Sequence, residues 1–197
     1  KNPNLNLVDK SGLSFLEYAS LTYDYEVLNL LVNSKINLNS TNVKGENILS
    51  FLSYTDKNLE IIKYFISKGV DTNTRNLKEQ TLLHIATQNN AKELINYYIS
   101  KNIDINKKDS NGQNVLHYAI TMGSESLVEI FLKSHVALSD KDNNGKTPFE
   151  YATNEMFKKL DLIWNKIFWE SVAEGNVNLI KDTLKYGVEG NFQNFDK

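Results

Sequence analysis

Apolar and polar positions in this chain form a block that is written again about every thirty-three residues. Between Asp109 and Lys141, a polar turn (Asp109–Gly112) precedes a run with apolar residues at helical spacing, Asn114 to about Met122. Asp and Asn bond their own backbone and Gly tolerates positive φ, so 109–112 reads as a turn. The run predicts a short helix, with Asn114 as N-cap and Gly123 ending it in the left-handed region. A second run, about Glu125 to Ser134, carries Leu127, Val128, Ile130, Phe131 and Leu132. A helix that apolar does not sit on a free surface, so it must lie between neighbours. His135 then takes the helix-ending slot, and Leu138–Lys141 leads to the next turn.

The block reads DKSGLSFLEYA from Asp9, NLKEQTLLHIA from Asn76, DSNGQNVLHYA from Asp109 and DNNGKTPFEYA from Asp142. A weaker copy, NVKGENILSFL, starts at Asn42. The step is 33 residues from Asn76 to Asp109 and again to Asp142, and 34 from Asn42 to Asn76. Fixed-period self-similarity marks a stacked repeat array. Thr81 and Thr147 are the N-cap candidates of their copies. A small residue recurs in the first helix (Ala19, Ala86, Ala119, Ala152), where a methyl lets layers approach closely. Second helices repeat apolar pairs: Leu30–Leu31, Tyr64–Phe65, Tyr97–Tyr98 and Ile130–Phe131. In the tails, Asn39, Asn73 and Asn106 are placed to bond loop backbone.

TLLHIA (Thr81–Ala86), VLHYA (Val115–Ala119) and TPFEYA (Thr147–Ala152), with tails such as GVDTN, resemble the ankyrin repeat family, over nearly all of the chain. The resemblance implies an all-α solenoid of stacked helix-turn-helix units with hairpin-like finger loops, about five to six repeats in a single domain, 1–197. The repeats would fall at 9–41, 42–75, 76–108, 109–141, 142–164 and 165–197. Phe15, Ile48, Leu82 and Val115 stand where the family prefers Pro, and Leu52 replaces the small Ala, so packing there is expected to be looser or shifted. In the family, the histidine at the slot of His84 and His117 bonds loop backbone of neighbouring repeats, and that is the role expected here.

The pattern changes after Ala152. NEMFKKLDLIWNKIFWESVAEGN holds helical phase at Phe157, Leu160, Trp164, Ile167, Phe168 and Val172, with no Gly or Pro before Gly175. Either the finger between copies five and six is deleted, leaving a tight turn near Asn165, or one long helix joins them. Two helices with a very short connection are the expected arrangement. Trp164 and Trp169 are expected to fill the space of the missing finger, the alternative being an exposed hot spot. Asp182 and Thr183 stand where other copies carry the apolar pair, so less burial is expected there. Segments 2–12 and 189–197 read as parts of further repeats, so the chain is expected to be a fragment of a longer array.

Net charge is −2, giving no general attraction to nucleic acid or an anionic membrane. Absence of cysteine removes disulfides, thiol catalysis and zinc–thiolate sites but assigns no compartment. A cytoplasmic location is the default expectation, with delivery into a host cell left open. No apolar run reaches the roughly 20 residues of a spanning helix. P-loop, dinucleotide-binding, HExxH and GxSxG motifs do not occur, so no catalytic residue, cofactor or metal site is assigned. His135 is expected at the surface near a negative helix end. Tyr18, Tyr118 and Tyr151 share the place before the small Ala, where a ring either lines the inner surface or packs half-buried.

By the resemblance, a partner meets the finger tips and the ends of the first helices, which form the concave face. Carried over copy by copy, the candidate partner-binding residues are Leu13, Leu21, Val43, Glu46, Tyr54, Leu77, Gln80, Gln88, Gln113, Met122 and Lys146. The fold does not require apolar residues at such places, so exposed ones mark an interface. Tyr54 is the preferred hot spot, then Leu21 and Met122. The expected function is a non-catalytic scaffold, a monomer that binds a protein partner. The alternative is a structural or regulatory ankyrin segment of a larger protein, such as a bacterial effector or toxin, packing on its own chain.

Overall fold

The computed structural model describes residues 7–10, 12–34 and 36–186. Of the end segments read as parts of further repeats (2–12 and 189–197), residues 2–6, Ser11 and 189–197 lie outside the described residues, as does Lys35 at the start of the first tail. Contacts divide the chain into two compact units, residues 1–103 and 104–197.

The first unit holds three helix pairs: α1 (Phe15–Thr22) with α2 (Tyr25–Asn33), α3 (Ile48–Leu52) with α4 (Leu59–Ser67), and α5 (Leu82–Gln88) with α6 (Lys92–Ser100). First helices stack, α1 on α3 and α3 on α5. Each starts where the sequence supplies a cap. The Glu17 N–H donates to Ser14 Oγ (3.2 Å), and Glu17 Oε2 accepts from the Ser14 N–H (2.6 Å). Asn47 Oδ1 accepts from the Ser50 N–H (3.1 Å). Such caps satisfy N–H groups that the helix itself cannot. Ser20, Ser53 and Thr87, all buried, donate to the carbonyls of Leu16, Leu49 and Leu83, four residues back (2.6 Å each). The one-residue insertion of the second copy appears as a 3₁₀ turn, Asp56–Asn58, between α3 and α4. Asp56 Oδ1 caps α6 by accepting from the Leu94 N–H (3.0 Å). Leu52 at the Ala slot is fully buried, so that place is filled rather than loose.

The second unit contains α7 (Val115–Thr121), α8 (Glu125–Lys133), α9 (Asn154–Glu174) and α10 (Val177–Tyr186). Asn114 caps α7 through the N–H groups of Leu116 (3.1 Å) and His117 (3.3 Å), as expected. Gly123 and His135 take positive φ at the two helix ends (67° and 57°). His135 sits at the surface, 3.7 Å from Asp182.

The fifth copy departs from the sequence reading in two ways. Its first helix is a single 3₁₀ turn, Pro148–Tyr151, after which Ala152 is extended. Thr153 explains this: instead of bonding back as Ser20, Ser53 and Thr87 do, its Oγ1 accepts forward from the Met156 N–H (3.2 Å) and starts α9. The tight turn expected near Asn165 is absent, because α9 runs unbroken for 21 residues. Met156, Leu160, Ile163, Trp164, Ile167 and Ser171 form one buried stripe, which a break at Asn165 would interrupt. Asn165 is exposed and costs a helix only a few tenths of a kcal/mol. Helix α9 packs on α8 and α10, with Lys166–Glu129 (2.8 Å) and Lys159–Glu125 (3.2 Å) bridging to α8. Trp164 fills the core, but Trp169 is 68% exposed. Thr183 is fully buried despite its polarity, since its hydroxyl reaches the carbonyls of Leu179 (3.0 Å) and Ile180 (2.9 Å).

β structure among the described residues is one antiparallel bridge, Val8 with Ser14. No helix among them is long and apolar enough to cross a membrane.

Candidate functional site

Every finger is built on the side chain of its leading Asp or Asn. In four fingers Oδ1 of that residue accepts from the N–H groups two and four residues on. Asn42 takes Lys44 (2.9 Å) and Glu46 (3.1 Å), and Asn76 takes Lys78 and Gln80 (3.0 Å each). Asp109 takes Asn111 and Gln113 (2.9 Å each), and Asp142 takes Asn144 (2.9 Å) and Lys146 (3.0 Å). In the first finger Asp9 takes the Leu13 N–H at 2.9 Å. Asp and Asn do this equally well, because each offers one acceptor oxygen on the same stem.

The remaining side-chain atom distinguishes them. In the Asp fingers Oδ2 accepts a tyrosine hydroxyl nine residues on: Tyr18 to Asp9 (2.7 Å), Tyr118 to Asp109 (2.7 Å) and Tyr151 to Asp142 (2.5 Å). The hydroxyls thus bond the root of their own finger, while the rings differ: Tyr18 is exposed, and Tyr118 and Tyr151 are half-buried. In the Asn fingers Nδ2 is a donor, and the position nine on is Phe51 or Ile85. Asn42 Nδ2 donates to Glu46 Oε2 (3.2 Å) and Asn76 Nδ2 to Gln80 Oε1 (2.9 Å). These bonds turn Glu46 and Gln80 inward, leaving them 3% and 5% exposed. The expected place of Gln80 on the partner surface is therefore corrected, because it is a strut of the finger, while Glu46 lies on the floor of a groove rather than at a finger tip.

Electrostatics follow the same division. Burial pushes the Asp142 carboxyl up, but the Tyr151 hydroxyl and the N–H groups of Lys146 and Asn144 outweigh it and hold the group well below the usual carboxylate range. Tyr54 is pushed up to about 12, by burial first and then by its bond to Glu46 and that carboxylate's charge.

Successive fingers are tied by backbone. The Leu77 N–H donates to the Lys44 carbonyl (2.9 Å), and the Asn143 N–H to the Asn111 carbonyl (2.9 Å). Gly12 (φ +85°) is pressed by the next tip, since a Cβ there would lie 3.2 Å from Val43 Cγ2. The imidazole of His117, fully buried, bridges fingers as expected. Its Nε2 faces the Lys146 carbonyl at 3.2 Å, and its Nδ1 lies 3.2 Å from the Asn114 backbone nitrogen and 2.8 Å from Asn114 Oδ1. Burial pushes its pKa down, with the Lys146 carbonyl opposing.

Between the first and second fingers lies a groove of about 290 Å³ lined by Gly12, Leu13, Asn42, Val43, Lys44, Glu46, Phe51 and Tyr54. It gathers four of the sequence candidates: Leu13, Val43, Glu46 and Tyr54. Tyr54 donates to Glu46 Oε1 (2.6 Å). Val43 is 71% exposed, Tyr54 41%, and Leu13 half-buried. Sequence reasoning missed Phe51 and Asn42. The signal available was Phe51 standing in the tyrosine slot of an Asn-led finger.

Other candidates in this unit lie outside the groove. Leu77 is exposed on the third finger beside Gly45, and Leu21 and Gln88 are exposed at the ends of α1 and α5. In the second unit Gln113 is half-buried and hydrogen-bonds the Tyr151 side chain, and Met122 is 44% exposed. Lys146 is exposed with Nζ 5.2 Å from the centroid of the Tyr151 ring.

A family model described as ankyrin repeats (3 copies) matches residues 15–109, 49–137 and 83–164. No curated protein matches the chain. Repeated capped helix pairs, fingers closed by a leading Asp or Asn, and family matches running from residue 15 to residue 164 lead to one conclusion: this all-α chain belongs to the ankyrin-repeat family.

Proposed function

We propose that this chain is a non-catalytic interaction module that holds a protein partner against the fingers and first-helix ends of residues 7–103. Ankyrin repeats are generally protein–protein interaction modules. The observation that carries the placement is the apolar character of these tips. Val43 and Leu77 are 71% and 76% exposed at finger positions held by Lys10, Ser110 and Asn143 in the other copies. Exposed apolar residues beside a groove reward a partner that removes them from water. Tyr54, half-exposed in the same groove, supplies the rigid aromatic surface that interface hot spots favour.

The test is a pull-down with the chain as bait, comparing wild type with Val43→Ser/Leu77→Ser and with Met122→Ser on the other unit. Loss of a specific prey in the double variant, at unchanged thermal stability and with capture intact in Met122→Ser, supports the reading. Equal capture by all three baits contradicts it.

A further inference from the structure

We propose that the groove between the first and second fingers receives a basic side chain, arginine or lysine, from an apolar segment of the partner, with Glu46 as its counter-charge and the Tyr54 ring as its platform. This rests on the protein-binding reading above and names the chemistry that the partner brings.

Size is the first argument. At about 290 Å³ the groove is at the lower edge of the roughly 300–1,000 Å³ of small-molecule sites, a volume suited to one long side chain and its flanking backbone. Its walls, Leu13, Val43 and Phe51, suit the methylene stem.

Charge is the second. Glu46 is 3% exposed, and Glu17, also 3% exposed, lies behind it. One amide joins them, since Asn42 Nδ2 donates to Glu17 Oε1 (3.1 Å) and to Glu46 Oε2 (3.2 Å). Among the described residues neither carboxylate has a Lys, Arg or His in an ion pair. Buried charge of one sign is stabilised by a counter-charge, and carboxylate oxygens that each accept one bond retain further lone pairs.

The chain itself supplies the third. In the fifth finger a carboxylate (Asp142) accepts the hydroxyl of Tyr151, and Lys146 lies 5.2 Å over that ring. Carboxylate, tyrosine and cation are all present. The second finger has the carboxylate and the tyrosine, but the position of Lys146 is occupied by Glu46 itself. Among the described residues no lysine lies over Tyr54, whose half-exposed face is the kind that attracts a cation.

The test is selection of heptapeptides from a random peptide library on the intact chain, followed by titration of the selected peptide. The expected result is one fixed arginine or lysine beside apolar residues. Replacing a selected arginine by citrulline, which keeps the shape and removes the charge, should weaken binding to wild-type protein about tenfold or more. Glu46→Gln should weaken the arginine peptide comparably and remove its preference over citrulline. The citrulline arm uses unmodified protein, so a poorly folded variant does not blunt the test. Selected peptides without a basic position, yet lost with Val43→Ser/Leu77→Ser, overturn the proposal and leave the protein-binding face standing. Peptides indifferent to that double variant overturn both. A solution dimer broken by Val43→Ser also overturns the proposal, because the occupant is then a second copy.

Discussion

The second finger, residues 42–54, and the fifth, 142–151, have the same loop and place their acid differently. Both use Oδ1 of the leading residue to hold two N–H groups. In the fifth, the leading residue is itself the acid and takes the tyrosine nine residues on. In the second, the leading residue is an amide, the acid moves to Glu46, and the tyrosine moves from the place of Phe51 to Tyr54. In the fifth finger Lys146 lies over the Tyr151 ring, while the second finger borders a groove whose Glu46 has no ion pair among the described residues. A single atom, Oδ2 or Nδ2, decides whether the leading residue accepts a tyrosine hydroxyl or donates to the side chain four residues on.

Substitutions at these atoms break the comparison to different degrees. Asn42→Ala should have the largest effect. It removes the acceptor of two N–H groups and the amide shared by Glu17 and Glu46, at a cost of about 3 kcal/mol or more by urea denaturation.

Next is pH. The folded Asp142 is held below its unfolded range of about 3.9, so its contribution is present above that pH and lost as pH falls below it. His117 acts earlier. Its folded pKa is pushed below the unfolded value of about 6.5, so stability falls with pH below that point, as the unfolded chain takes up a proton. Asp142→Asn should shrink the more acidic phase of the stability–pH curve, to which Glu129, Glu150 and Glu155, also held low, contribute, and leave the His117 phase.

Tyr54→Phe should cost about 1 kcal/mol near neutral pH. Tyr54 ionises at about 12 in the folded protein, against about 10 unfolded, so its contribution is intact below 10 and is lost as pH rises. A phenolate absorbance titration should show Tyr54 among the late groups, with Tyr64, Tyr97, Tyr98 and Tyr151, and Glu46→Gln should bring one of these earlier.

The smallest effect belongs to the third finger. Glu79 stands in the finger's glycine slot with φ +57°. Glu79→Gly should relieve about 0.5–1 kcal/mol of left-handed backbone cost, offset in part by loss of the exposed Arg75–Glu79 pair (2.6 Å), for a small net gain in thermal denaturation.

Local chemistry explains how much the sequence showed. The thirty-three-residue step, the caps at Asn114 and Thr147, and the left-handed ends at Gly123 and His135 follow from side chains within a few residues, and all were legible. Leu13, Val43, Glu46 and Tyr54 were legible as candidates, though not as one groove. What escaped depends on competition. Thr153 had two bonding choices, and its forward one replaced a helix with a turn. Continuous burial from Met156 to Ser171 outweighed Asn165 as a break. Glu46 and Gln80 looked like tip residues because the amide that draws them in belongs to Asn42 and Asn76, whose free atom matters only once the finger has closed. Trp169 shares its helix with buried Trp164 but falls on the outer side of α9.

Backbone amide chemical-shift mapping with the selected arginine peptide tests the central claim most directly. The account predicts the largest shifts at Gly12, Leu13, Val43, Glu46 and Tyr54. Largest shifts at Asp109–Gly112 and Asp142–Gly145, with the second finger unmoved, would contradict it.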